Sequence, residues 1–492
     1  MIVNNVEGVQ YLPSPETEEA DSGLRYLCAF LLALVLATFA QAQQRWTRTY
    51  GGVWGEYGRS AQQTADSGYV VAGYTESYGA GYTDFYLVKT SSSGDTLWTR
   101  TFGDSGYQSA YSVRQTADRG YVMTGVTMPP WGTSFDVRIV KTNASGGQAW
   151  AKTYGGASDD QGFDVRQTQD GGHIIAGGTR SYGAGTWDIL LIRTTASGDS
   201  VWIKAIGDAG YEVGYSVLQT VDGGYAIAGY TSDIGGFNED VYLVKTSASG
   251  DTVWTRRYGG TGDDEGLCVD QTADGGYIIT GLAHLPGPSD ISLYLVRTNG
   301  SGDTLWTRTY GGPNHDVGNS VQQTSDGGFI VAGTTYRSVG DADAYLIRTD
   351  SLGDTLWTRF FGGTGVDGGS SVRQTLDGGY IVGGRTTSFG AGNDDVWLIK
   401  TDANGSAAVQ EPQGSRPNVR GDLYATPNPF AAFTRVPGHE AERFEVYDAS
   451  GKGSGTYPGN RIGEGLAPAV YFVRPVGKHA RSLRVVKAAS GR

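Results

Sequence analysis

Only two cysteines, Cys28 and Cys268, occur in 492 residues, so neither a disulfide framework nor a cysteine-rich metal site is available. Prolines number 15 and charged residues make up 18% of the chain. The five histidines (His173, His284, His315, His439, His479) stand at unrelated positions. No Gly-x-Ser-x-Gly, His-Glu-x-x-His or phosphate-loop pattern is present, which removes the common hydrolase, zinc-protease and nucleotide-binding signatures. No long stretch carries the 3.6-residue apolar stripe of an amphipathic helix. Basic residues are also in short supply. Residues 43–405 hold 39 acids against 25 bases, residues 406–492 hold 7 against 12, and residues 1–42 hold 5 against 1. An acidic body repels phosphates, so nucleic acid is not an expected partner.

What the chain does have is glycine, 78 residues of it, and a period. Tryptophan stands at 46, 98, 150, 202, 254, 306 and 357, at intervals of 52 residues and finally 51. The phrase around it is clearest in Asp354-Thr-Leu-Trp-Thr-Arg-Phe-Phe-Gly-Gly363. A period this regular signals a repeat architecture and overrules a domain count made from length.

Ahead of the repeat, residues 27–40 form an apolar run ending in Ala40-Gln41-Ala42, small residues at the −3 and −1 positions of a signal-peptidase site. A run of 14 residues falls short of the roughly 20 that span a bilayer. Residues 1–42 are therefore expected to be a cleaved secretory signal, leaving no transmembrane span in the mature protein. The leader is atypical: Glu16, Glu18, Glu19 and Asp21 precede its only base, Arg25, so translation is expected to start closer to Arg25. Cys268 takes the repeat position held elsewhere by Ser60, Ser112, Ser216, Ser320 and Ser371, and reads as a small strand residue.

Each unit from Trp46 to Gly405 reads as four strands. In one copy, residues 158–168 hold a strand ending in Gln-Thr, and Gln169-Asp-Gly-Gly172 is a turn. His173–Thr179 and Asp188–Thr194 are the next strands, Ala196-Ser-Gly-Asp199 is a second turn, and Ser200–Ile206 is the Trp strand. Asp-Gly and Ser-Gly between β-rich runs mark hairpins, because glycine accepts the positive φ such turns require. The Gln-Thr strand, the third strand and the Trp strand each occur seven times. One Trp strand, however, precedes the first Gln-Thr strand, and none follows Gly405. That offset predicts an all-β, seven-bladed β-propeller over residues 43–405, its four-stranded blades closed by the N-terminal strand pairing with Asp395–Thr401. An open β-solenoid would have no use for a displaced strand.

Segments such as Asp350-Ser-Leu-Gly-Asp-Thr-Leu-Trp-Thr-Arg-Phe-Phe-Gly-Gly363 and Thr324-Ser-Asp-Gly-Gly-Phe-Ile-Val-Ala-Gly333 resemble the bacterial SBBP-type β-propeller repeat. They are also similar to the tryptophan-docking repeats of quinoprotein-type propellers, where a glycine lies four residues ahead of the Trp. The resemblance spans residues 46–405 and implies a fold, not an activity.

Residues 406–421 lack periodicity and read as a linker. Beyond them stand Thr426-Pro-Asn-Pro-Phe430, Phe444–Asp448, Gly465–Arg474 and Leu483–Lys487, β-type segments of a small sandwich. Residues 422–492 resemble the immunoglobulin-like C-terminal sorting domain of type IX secretion. That resemblance implies the type IX machinery as a partner and a secreted or outer cell-surface location. A flagellar-hook-type immunoglobulin-like domain fits the same segments, since Ala469 stands where the sorting pattern has glycine and five residues follow Lys487.

Two acidic positions recur. Ten residues after each Trp come Glu56, Gln108, Asp160, Glu212, Asp264, Asp316 and Asp367; ahead of the third strand come Asp84, Asp136, Asp188, Asp240, Asp343 and Asp395, with Ser292 the exception. Both sets fall on one face of a propeller. Such oxygens could hold a hard cation, with calcium the candidate and Glu56, Asp160, Glu212, Asp264, Asp316 and Asp367 its ligands. Alternatively they accept backbone hydrogen bonds in every blade, which recurrence favours. The loops between second and third strands differ from blade to blade. They carry Tyr78, Tyr82, Trp131, Phe135, Tyr182, Trp187, Phe237, Tyr336 and Phe389 as candidate ligand contacts. Ser93–Trp98 resembles the Asp-box turn of sialidase propellers with shifted spacing, and no catalytic residue is identified. An exported binding or adhesion module for a glycan or protein ligand is the expected function. The rival is an extracellular glycoside hydrolase or lyase using paired carboxylates about 5–10 Å apart.

Overall fold

The computed structural model describes residues 45–235, 238–285, 291–312 and 315–407, followed by 442–448, 452–458, 460–462, 464, 466–467, 469–476 and 483–487. The leader at 1–42, Phe237, Thr426–Phe430 and residues 408–421 lie outside the described residues. The chain divides into two compact units between Glu411 and Pro412.

The first unit is a ring of seven four-stranded antiparallel sheets. Blade 1 runs outward through Glu56–Gln63, Tyr69–Thr75, Asp84–Thr90 and Thr96–Phe102. The expected strands His173–Thr179, Asp188–Thr194 and Ser200–Ile206 of blade 3 appear with those bounds. Blade 7 takes three strands from the C-terminal end, Asp367–Gln374, Tyr380–Thr386 and Asp395–Thr401, and its outer strand, Trp46–Tyr50, from the N-terminal end. Trp46 pairs with Lys400 and Tyr50 with Val396, so the displaced strand closes the ring as its position predicted.

The cores lie between blades. One cluster joins Trp46, Tyr50, Val396 and Leu398 of blade 7 to Tyr69, Val71 and Tyr86 of blade 1. Each repeating Trp sits on the next blade. Trp46 meets Tyr69 edge-on at 5.4 Å and Trp98 meets Tyr121 at 5.8 Å, and the pattern runs on to Trp357 and Tyr380 at 5.9 Å. Under each indole lies a turn glycine. A Cβ on Gly94, where φ is +82°, would fall 2.8 Å from the Trp46 ring, so nothing larger fits. Nearby, Tyr50 donates its hydroxyl hydrogen to Gly94 O at 2.7 Å.

Glutamines of the Gln-Thr pairs tie the blades together at this same end of the ring. The amide of Ala65 donates to Gln115 Oε1 at 2.8 Å, and that of Leu376 reaches across the closure to Gln63 Oε1 at 2.9 Å. Inside every blade the Asp of the first turn pairs with a buried base on the third strand. Lys89–Asp66, Lys141–Asp118, Lys245–Asp222 and Lys400–Asp377 lie at 2.8–2.9 Å, while Arg193, Arg297 and Arg348 hold Asp170, Asp274 and Asp326. Cys268 is buried in an inner strand, in keeping with its small-residue slot.

The second unit contains one four-stranded antiparallel sheet, with Gly453–Pro458 at one edge, then Arg443–Asp448, Ala469–Pro475 and Leu483–Lys487. Gly453–Pro458 was not anticipated; its two glycines and terminal proline hide the strand pattern. Phe444, Val446, Ile462, Tyr471 and Val473 form its core.

If ring closure holds the propeller together, removing residues 43–52 should lower its melting temperature far more than trimming an exposed loop does. Trp46→Ala alone should cost about 3–5 kcal/mol, as for a buried indole truncated to alanine. Chemical denaturation of both variants measures this, and unchanged stability would refute the closure.

Candidate functional site

The two recurring acidic sets meet. In five of the seven blade junctions, one carboxylate from each set converges on the glycine that follows the Trp strand. Asp188 Oδ1 and Glu212 Oε2 both lie 2.4 Å from where a Cβ on Gly207 would sit, and the same arrangement surrounds Gly51, Gly155, Gly259 and Gly362. Asp84 and Gln108 share Gly103.

The residues proposed as calcium ligands each accept a hydrogen bond from a backbone amide. Glu56 accepts from Gly52 N at 2.7 Å, Thr75 Oγ1 at 2.8 Å and Ser77 N at 3.0 Å. Asp160, Asp264, Asp316 and Asp367 accept the matching amides of Gly156, Gly260, Gly312 and Gly363 at 2.7–2.8 Å, and Glu212 accepts Asp208 N at 3.1 Å. Gln108 does the same for Asp104 N with its amide oxygen. The position therefore needs an acceptor and does not need a charge. Among the described residues, no group of three or more His, Cys, Asp or Glu is arranged to hold a metal ion.

Burial raises five of these acids. Burial, then the charge of Asp160, lifts Asp136; burial leads the upward shifts of Glu212, Asp240, Asp264 and Asp395 as well. The turn aspartates at the other end move down. Asp222 falls to about 2 through the Thr220 hydroxyl and Lys245, and Asp118 reaches about 2 because Lys141, Thr116 and an amide outweigh its burial.

The loop aromatics divide into two groups. Tyr78 and Tyr182 donate their hydroxyl hydrogens to Gly51 O and Gly155 O, capping their blades. Phe135 packs on Tyr107, Trp187 lies beneath Arg180, and Phe389 packs on Trp397, where with Thr47 and Arg48 it lines an open hollow of about 270 Å³. Tyr82 and Trp131 face solvent, with Trp131 95% exposed and held at φ +63°, whereas Tyr336, expected on a loop, lies within the strand Phe329–Ser338 and packs edge-on against His315 at 6.4 Å.

A set that sequence reading missed lines the axis. Each inner strand has a bulge three residues after its acid, as between Gly58 and Ser60, and the extra residue turns toward the channel. Around the ring these residues are Arg59, Tyr111, Phe163, Tyr215, Leu267, Asn319 and Ser370. Arg59 lies between Tyr57 and Tyr111, 4.5 and 4.4 Å from their ring centroids. Tyr111–Phe163 and Phe163–Tyr215 continue the track at 5.1 and 5.0 Å. At its far end Glu265 and Glu239 share a hydrogen bond; burial first, then the neighbouring Glu239, pushes Glu265 up to about 7. Farther along the inner strands, Asp164 holds Arg114 at 3.2 Å and Arg166 at 3.3 Å. The signal was available in the sequence as one of the positions that vary between copies of an otherwise repeating strand.

No family model matches the chain. The regulatory protein FlaEY of Caulobacter vibrioides is 24% identical over 283 residues, 46% of this chain, and the chain spans 30% of that protein's length. Among solved structures, similar folds include the Neurospora crassa Pan2 WD40 domain (10% identity, 71% of this chain and 91% of that one, TM-score 0.44) and a PL25 ulvan lyase (11%, 73% and 97%, 0.44). Sqt1 from Chaetomium thermophilum is another (11%, 75% and 87%, 0.42).

Raised acids stabilise the fold below their unfolded values and lose that contribution as pH rises through the raised ones; lowered acids lose theirs as pH falls through the lowered ones. Thermal stability should therefore peak on the acid side of neutral. Glu212→Gln and Asp136→Asn should raise the melting temperature at pH 8 and leave it nearly unchanged at pH 4. Calorimetric scans across pH check this, and an equal effect at both pH values would contradict it.

Proposed function

We propose that this chain is a binding or adhesion module exported to the cell surface or the medium. It takes a glycan or protein ligand on the propeller face that carries the loops between second and third strands, and its C-terminal domain serves as the address read by type IX secretion machinery. The observation that carries this reading is Trp131. A large aromatic side chain kept 95% exposed on a non-glycine residue at positive φ costs folding energy without contributing to the core, as expected of a contact surface. Tyr82, 73% exposed, supplies a further platform on the same set of loops. In this reading the acids beneath them are scaffold, and added calcium leaves affinity unchanged.

The second reading, a carboxylate-dependent hydrolase or lyase, is favoured by one observation, the hydrogen-bonded Glu239–Glu265 pair, which holds a proton near neutral pH beside Tyr215. Glycan and peptide arrays combined with a polysaccharide turnover panel separate the two readings. Binding without turnover that weakens about tenfold or more in Trp131→Ala and Tyr82→Ala supports the module. Turnover abolished by Glu265→Gln supports the enzyme and overturns the module.

A further inference from the structure

Most channel-facing cations are already matched. Arg114 and Arg166 share Asp164, and Arg385 holds Asp394 at 3.1 Å. Arg59 is different. Its guanidinium is sandwiched between Tyr57 and Tyr111, and Arg385 approaches the same Tyr57 ring at 4.6 Å. Its Nε is buried without an acceptor, and no hydrogen bond or ion pair reaches the group among the described residues. Stacking fixes the plane of the guanidinium and leaves its edge, with N–H donors in a fork, open to the channel. A carboxylate meeting the two Nη groups at that edge would make two charge-assisted bonds with them.

From Arg59 the wall continues through Tyr111, Phe163 and Tyr215, all half-buried and therefore reached by solvent. The opposite wall carries Leu267, Asn319 and Ser370 at the matching bulges, and the Asn319 amide nitrogen already donates to Gly369 O at 2.9 Å. Aromatic faces carry negative charge and suit the weakly positive C–H face of a sugar ring, while the Asn319 amide oxygen and the Ser370 hydroxyl across the channel suit its hydroxyls. A peptide side chain would instead want an apolar pocket on both sides. The body's excess of acids, 39 against 25 over residues 43–405, disfavours a ligand charged along its length. One unmatched guanidinium calls for one anionic group.

We propose that the axial channel of the propeller is a receptor for an otherwise neutral oligosaccharide that ends in a carboxylate-bearing sugar. The carboxylate sits on the fork of Arg59 and the sugar rings lie along Tyr111, Phe163 and Tyr215. This site is separate from the exposed loop aromatics and does not need them.

Titration calorimetry on the full chain tests the assignment with three probes: a disaccharide ending in glucuronic acid, its neutral glucose-ended counterpart, and a short peptide with a free C-terminal carboxylate. The acidic disaccharide should bind at least about tenfold more tightly than the neutral one. Arg59→Gln should erase that preference, and Arg59→Lys should keep part of it, because an ammonium supplies charge without the fork. Tyr82→Ala and Trp131→Ala should leave it intact. Thermal scans of each variant confirm that the ring is folded, and Phe163→Ala gives an independent loss of affinity if Arg59→Gln unfolds. Four results overturn the proposal: no binding of the acidic disaccharide, equal affinity for both sugars, an Arg59→Gln variant that binds as the parent does, or tighter binding of the peptide. Loss of binding in the loop variants alone would sink this inference while leaving the loop-face reading standing.

Discussion

The fold rests on one contact made seven times: an indole from the outer strand of one blade laid over a turn glycine of the next. Because each Trp belongs to one sheet and its glycine to another, no blade can bury its own outer edge. A four-stranded sheet with one covered face is only marginally stable by itself, so each blade depends on its neighbours. Trp46 makes this dependence circular. It belongs to blade 7 through its pairing with Lys400 and docks on blade 1 through Tyr69 and Gly94, converting a row of interfaces into a ring with no unpaired end. The glycine restricts the geometry further, since any Cβ there would strike the indole.

Two electrostatic rings stand at opposite ends of this scaffold with opposite effects. Where the first turn of each blade closes, an aspartate faces a buried lysine or arginine and is held in its charged form. Where one blade hands over to the next, carboxylates face each other across a glycine, and Asp136, Glu212, Asp240, Asp264 and Asp395 among them are pushed toward their protonated form. The second arrangement persists because each acid is needed as a hydrogen-bond acceptor for an amide of the crossing backbone. Gln108 makes the point from within the chain: it satisfies Asp104 N without a charge, beside Asp84. The acidity of this face is thus largely a by-product of backbone satisfaction, repeated because the blade is repeated.

That distinction explains what could be read from the sequence. The period, the Asp-Gly turns and the displaced Trp strand are properties of the repeat, and identical solutions in identical surroundings leave identical residues. Blade number, strand bounds such as His173–Thr179 and the pairing of Trp46–Tyr50 with the last blade all followed from them. The recurring acids were equally visible, but which face each other was not, because the convergence of Asp188 and Glu212 depends on a handover between blades that spacing alone does not place. The loop aromatics were found by composition, yet composition does not separate Tyr78, whose hydroxyl caps Gly51, from Trp131, which touches little. Phe237 lies outside the described residues. The channel residues escaped because a bulge shifts the strand by one, so alternation of inward and outward side chains assigns the position after the bulge to the wrong side.

Function in such a ring must come from where the repeat is broken. Sevenfold sameness gives a ligand seven equivalent places and therefore no single site. Arg59, Tyr111, Phe163 and Tyr215 break the symmetry at one structural position by occupying four consecutive blades with groups that stack, while Leu267, Asn319 and Ser370 complete the circle with smaller ones. The result is a channel with one wall unlike the other, basic at one end of its aromatic track and carrying the hydrogen-bonded Glu239–Glu265 pair at the other. No turn, core contact or blade interface requires these side chains, since the same bulge accepts serine in blade 7. A position free of structural demands that nonetheless collects arginine and three aromatics in sequence around the axis is where recognition chemistry can be added without disturbing the Trp–Gly docking that holds the ring.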